Sequence, residues 1–106
     1  MKKIETYIVD SFTDQSFKGN PAGVCISKDK LSDSEMLLIA KELGLSETAF
    51  IGELDSNNEY PIRFFSPVME IPLCGHATLA SSKVLFEKNG QSSLDFVNSQ
   101  SLRLPI

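Results

Sequence analysis

Cys74, Gly75 and His76 stand side by side at the head of a helix-forming stretch, and that trio could do chemistry. The first amides of a helix have no partner inside it and carry the positive end of its dipole, a ready seat for a carboxylate or phosphate. Gly75 would let a ligand approach the backbone closely. A thiol in that position could have a lowered pKa, and His76 could shuttle protons or hold a carboxylate. The plainer account stands beside it: cysteine is often a small core residue, and a lone histidine is often a satisfied surface group.

Two other segments carry candidates. In Ser46-Glu47-Thr48-Ala49-Phe50, Glu47 opens an apolar strand, where it could face a cleft. A carboxyl held partly out of water rises toward the ~6–7 useful for moving protons at neutral pH. An exposed strand-end glutamate is the commoner reading of that composition. In Gly19-Asn20-Pro21-Ala22-Gly23, Asn20 could present its amide to a ligand, although ordinary turn chemistry accounts for the segment. No phosphate-binding loop, dinucleotide fingerprint, Ser-His-Asp order or zinc spacing occurs.

The elements that must position these residues can be read from periodicity. Ser32 and Glu35 form a capping-box pattern, with Leu31 and Met36 placed as a hydrophobic staple across it. Met36, Leu37, Ile39, Ala40 and Leu43 continue an apolar stripe at helical spacing, and Gly44 suits the left-handed stop. This helix reads as scaffold. A second, about His76 to Lys88, differs: Ala77, Leu79, Ala80, Ser81 and Ser82 put small residues on nearly every side, as in a helix closely surrounded by other elements. Asn89-Gly90 supplies its stop. Strands are expected at Ile4 to Val9, Ala22 to Ile26, Thr48 to Ile51, Ile62 to Ser66 and Leu94 to Val97, with another beginning at Leu102 to Leu104. Polar turns fall at Asp55 to Glu59 and Asn89 to Ser93. Short strands around one buried helix, with one helix outside, make an α+β domain.

Composition bounds the rest. A chain of 106 residues, 42% hydrophobic, fits one domain with its own core. A net charge of −4 argues against a nucleic-acid partner, which needs a basic face. The longest apolar run, Met36 to Ala40, is far short of the ~20 residues that span a bilayer, and Glu5, Thr6 and Asp10 interrupt any signal-like start. A cytoplasmic location without membrane contact is therefore expected. Cys25 and Cys74 make a poor disulfide framework, and a single histidine leaves no His-rich metal site.

Taken in order, the segments Val9-Asp10-Ser11-Phe12-Thr13, Phe17 to Gly23, Ile39 to Leu43 with Ser46 to Phe50, Arg63-Phe64-Phe65-Ser66-Pro67 and Glu70 to Ala80 form a specific set. On these residues the chain resembles the N-terminal half of the phenazine-biosynthesis isomerase-like (PhzF-like) family. The likeness runs from Val9 through Val97. Members of that family have the diaminopimelate epimerase-like fold. The resemblance implies a mostly antiparallel β-roll or barrel around a central α-helix, plus one outer helix. It also implies a cofactor-independent, metal-free isomerase that shifts a proton within a small carboxylic acid, such as a dihydroxy-dihydro-aromatic acid. By that likeness Glu47 is the base, and His76 helps hold the substrate. Glycine N–H groups at the helix start, here Gly75, receive its carboxylate. Cys74 and Asn20 would belong to the binding site. Epimerases of the same fold use a cysteine from each domain, a role that the glutamate takes over in this family.

Family enzymes pair two such domains across a cleft, and many are homodimers. The resemblance therefore implies that residues 1–106 are a single N-terminal domain, with the family's second domain absent. Two functions follow as expectations. One is half of an isomerase or epimerase, completed by a homodimer or by a partner chain. The alternative is a non-catalytic half-domain that self-associates through the face its missing half would cover.

Overall fold

The segment Ala22–Ile26 is buried nearly throughout, and its alternate residues enter two different cores. Ala22 and Val24 belong to one cluster, with Ile26 packed against it, while Cys25 belongs to the other. Successive strand residues point to opposite faces, so this strand must lie inside a sheet covered on both sides. In the computed structural model, which describes residues 3–9, 21–56, 58–72, 74–90, 95–98 and 103–105, the two covers are the two helices.

Among the described residues the order is β1 (Glu5–Val9), β2 (Ala22–Ile26), α1 (Asp33–Leu43), β3 (Thr48–Ile51), β4 (Tyr60–Phe65), β5 (Glu70–Ile71), α2 (Gly75–Asn89), β6 (Asp95–Val97) and β7 (Arg103–Pro105). The strands form one sheet in the order β1-β2-β3-β4-β6-β7, with β5 paired to β4 beside that path. The β2–β3 and β4–β6 pairs are parallel and the others antiparallel. Each parallel pair has a helix in its crossover, α1 for the first and α2 for the second, as parallel pairing requires.

The expected α+β class is therefore found, with one adjustment. The described strands make an open sheet whose path ends at β1 and β7, not a closed barrel. The enclosure of α2 holds nonetheless. Its Ala77, Ala80, Val84 and Leu85 share a core with Val24, Ala49, Ile51, Ile62, Phe64 and Phe96, from four strands. Ala77, Thr78, Ala80, Ser81, Ser82, Val84 and Leu85 are all buried, leaving only Gly75, Leu79, Lys83 and Glu87 as an exposed stripe until the last turn. Small side chains are what let a sheet approach a helix on so much of its circumference.

On the other face α1 contributes Met36 and Ala40 to a core with Cys25, Leu31, Phe50 and Phe65. The Phe50 and Phe65 rings meet edge to face at 5.5 Å. The predicted capping box is present: Ser32 Oγ accepts from Glu35 N–H at 3.1 Å, and Glu35 Oε1 accepts from Ser32 N–H at 2.8 Å. Gly44 ends the helix at φ 67°, and Gly90 ends α2 at φ 68°. No helix is long and apolar enough to cross a membrane among the described residues.

Several strand boundaries move: β1 begins at Glu5 instead of Ile4, and β4 ends at Phe65 instead of Ser66. β4 begins at Tyr60 instead of Ile62, because Pro61 lacks an N–H but its carbonyl still accepts from Gly52 at 3.0 Å. β5, only two residues long, is too short for its alternation to register in sequence. Of the segment Gly19 to Gly23, read as a turn, Gly19 and Asn20 lie outside the described residues.

Candidate functional site

Glu47 stands immediately before β3, and its carbonyl accepts from the Gly23 N–H of β2 at 3.1 Å. Ala49 and Ile51 point into the core that holds α2. Extending that alternation back by two residues puts Glu47 on the α2 face of the sheet. Its Oε2 is buried and has no hydrogen-bond partner among the described residues. A buried acceptor without a partner is costly in a folded protein and calls for an explanation.

The head of α2 lies on the same side. Cys74 is its N-cap: Sγ accepts from Ala77 N–H at 3.5 Å, the Cys74 carbonyl accepts from Thr78 N–H at 2.9 Å, and Thr78 Oγ1 donates to that carbonyl at 2.7 Å. Burial pushes the Cys74 thiol above its ordinary pKa. The Ala77 and His76 amides pull it down, and the negative charge of Glu47 pushes it further up. This corrects the expectation of a lowered thiol, since burial and a neighbouring carboxylate outweigh the helix end. It also shows that Glu47 and Cys74 are electrostatic neighbours. Both cysteines are free thiols, and burial raises Cys25 in the same direction.

Gly75 is the first residue of α2 and is exposed, and a Cβ built there would meet nothing within 4 Å. Among the described residues, the space beside Gly75 is therefore open. His76 is half-buried, with Nε2 out of water. The first turn of α2 carries no acidic side chain, so its positive end is uncompensated by its own residues. Asn20 lies outside the described residues. The structure thus brings Glu47 and Cys74 together, and Gly75 and His76 continue the chain from Cys74 along the mouth of α2.

Sequence reasoning overlooked the side chains that tie together the elements next to this mouth. Arg63 on β4 grips both carboxylate oxygens of Glu70 on β5, at 2.8 and 2.6 Å, and reaches Asp33 at the head of α1 at 2.8 Å. Asn98, buried after β6, donates to the Pro72 carbonyl at 2.7 Å. The usable signal was the seven-residue separation of Arg63 and Glu70 across a Ser-Pro turn, which an antiparallel hairpin brings together.

The chain and its fold have counterparts. The sequence model of a family described as "Phenazine biosynthesis-like protein" matches residues 9–103. A bovine phenazine biosynthesis-like domain-containing protein is 48% identical over 103 residues, which cover 90% of this chain and 36% of that protein. The Escherichia coli K12 protein named uncharacterized isomerase YddE is 51% identical over 82 residues, 77% of this chain and 27% of its own. A crystal structure of a phenazine biosynthesis PhzC/PhzF protein from Clostridium difficile superposes with a TM-score of 0.88 at 43% identity, over 97% of this chain and 39% of that one. The chain thus spans under two-fifths of each of these relatives. With residues 9–103 matched by the family model and its fold superposing on that of a family protein, this chain belongs to the phenazine biosynthesis-like (PhzF) family.

Proposed function

We propose that this chain is one lobe of a cofactor-independent isomerase or epimerase that shifts a proton within a small carboxylic acid. The observation that carries the reading is the buried, unpartnered Oε2 of Glu47 beside the open head of α2. Glu47 removes a proton from one carbon and returns it to another. The amides at Gly75 and His76 receive the substrate carboxylate, and the His76 ring, Cys74 and Asn20 bound the site. The chemistry asks for no metal or organic cofactor, because the base, the anion seat and the substrate's own acidifying group suffice.

The reading includes a second lobe over this mouth, from a homodimer or a partner chain, and it takes its scale from relatives more than twice as long. Excluding water is what gives such a site its power. Fixed dipoles act on a developing negative charge far more strongly in a closed cleft than in an open one.

The test is Glu47→Gln in the complete protein, supplied with a cyclic dihydro-aromatic carboxylic acid in deuterated water. Loss of a positioned general base lowers rates by about 10²–10⁴-fold, read as slower turnover and slower deuterium entry into the substrate. Turnover by the Gln variant at the wild-type rate would end the assignment of Glu47.

A further inference from the structure

Along the chain, the head of α2 is joined to β4 by one short link. Between β4 and α2 run Ser66 to Pro72, Leu73 and Cys74, and the only strand among the described residues of that stretch is β5, with two pairs to β4, Phe64 to Ile71 and Phe65 to Glu70. Such a short edge pairing holds weakly by itself. Together with the packing of α2 on the sheet, this link bears on where Cys74, Gly75 and His76 stand relative to Glu47. β3, which Glu47 precedes, pairs with β4, β4 pairs with β5, and β5 leads into α2.

Five side chains reinforce the link, and the charged pair among them lies off the α2 face of the sheet. Arg63 and Glu70 form a two-pronged pair on the α1 face, where Phe65 lies with its ring centroid 5.6 Å from the Arg63 guanidinium carbon. Both partners are about 28–29% exposed, and paired, half-covered guanidinium–carboxylate forks are the strong and directional kind. On the other face, Ile71 of β5 packs against the same core as Cys74. Asn98 then ties the Pro72 carbonyl from the side of β6. The tip of the hairpin is closed by Ser66, whose Oγ accepts from the Val68 and Met69 amides.

We infer that Arg63 and Glu70 are positioning residues for the candidate site, a clamp on β5 that fixes the head of α2 against Glu47 from the opposite side of the sheet. The inference rests on the proposed function for its importance to turnover, but the clamp itself can be read without any substrate.

The experiment is hydrogen exchange on the intact protein with Glu70→Gln, which keeps shape and removes the charge, and with Asp33→Asn as the control. Asp33 takes the other prong of Arg63 but stands at the head of α1, not on β5. Expected for E70Q is exchange at Ile71, Ala77 and Thr78 faster by about tenfold or more, with the Ala40 and Leu43 amides of α1 unmoved. E70D, which restores the carboxylate, should return most of the protection, and D33N should leave the three amides as they are. Unchanged exchange at the three amides would overturn the clamp, and so would an equal rise in α1, the mark of a general loss of stability. If E70Q does not fold, Arg63→Lys, which keeps the charge and loses the fork, is read in the same way. An E47Q protein that still turns over beside a loosened E70Q mouth would sink the function and leave the clamp standing. A dead E47Q with unmoved amides would do the reverse.

Discussion

The two helices of this molecule begin in opposite ways. At the head of α1, Ser32 and Glu35 occupy each other's backbone amides, and Asp33 and Glu35 place negative charge on the positive end of the dipole. At the head of α2 the cap is a thiol at 3.5 Å, a weak acceptor, and the first turn has no acid. One helix end is closed by its own side chains, while the other leaves donors and dipole to something outside itself. The two also differ along their lengths. α1 touches its core along one side through Met36 and Ala40, whereas α2 is buried on most of its circumference. A scaffold helix settles its own ends; a helix that frames a site is held by its surroundings and left open at the tip.

Substitutions along the two helices should separate these modes of support. The largest effect is expected at Leu85, 2% exposed in the core around α2. Leu85→Ala should lower stability by about 2–5 kcal/mol in chemical denaturation, because the enclosing sheet cannot collapse into the void. Leu38 on α1 is 58% exposed, and Leu38→Ala should stay within about 0.5 kcal/mol. Equal losses at the two positions would mean that α2 is no more enclosed than α1.

The caps come next in size. Ser32→Ala removes an acceptor from a reciprocal pair and should cost about 1 kcal/mol. Cys74→Ser should change stability by less than about 0.5 kcal/mol, since a hydroxyl caps better than a thiol but is less at home in a half-buried apolar setting. A Cys74→Ser loss as large as that of Ser32→Ala would show that the head of α2 is closed from within, contrary to the comparison.

How much of this the sequence revealed follows the same division. α1 was legible from Leu31 to Gly44 because its cap, staple, stripe and stop are local features, each visible within four residues. α2 was legible as a buried helix from Ala77 to Ser82, again through local composition. Strand β2 and strand β3 matched their expected bounds because each is a short run of apolar, largely β-branched or small residues. What stayed hidden was set by long-range pairing. β5 exists because Phe64 and Phe65 offer it a partner, and the clamp on it joins residues whose meeting depends on that hairpin. The pKa of Cys74 was misread for the same reason. The helix end is local and favours the thiolate, but burial and Glu47 come from the fold and favour the thiol.

That last balance gives the smallest and sharpest test of the site. With its folded pKa raised, the Cys74 thiol is stable as such at pH values where an unfolded cysteine has begun to ionise. The folded state therefore holds this proton more tightly. The resulting stability is complete below the unfolded thiol pKa, near 8.5, and is lost as pH rises through the raised folded value. Alkylation by iodoacetamide should accordingly be slow at pH 7.5 and climb only above the range of a free cysteine, because the thiolate is the nucleophile. Cys25, 1% exposed, should stay silent in the native protein. In a Cys25→Ser background, Glu47→Gln removes the nearby negative charge, so the Cys74 midpoint should fall and alkylation at pH 7.5 should quicken, by no more than about tenfold for a shift of one unit. A Cys74 rate indifferent to Glu47 would place the carboxylate away from the head of α2, and the contrast between a closed helix end and one facing a charged neighbour would lose its physical basis.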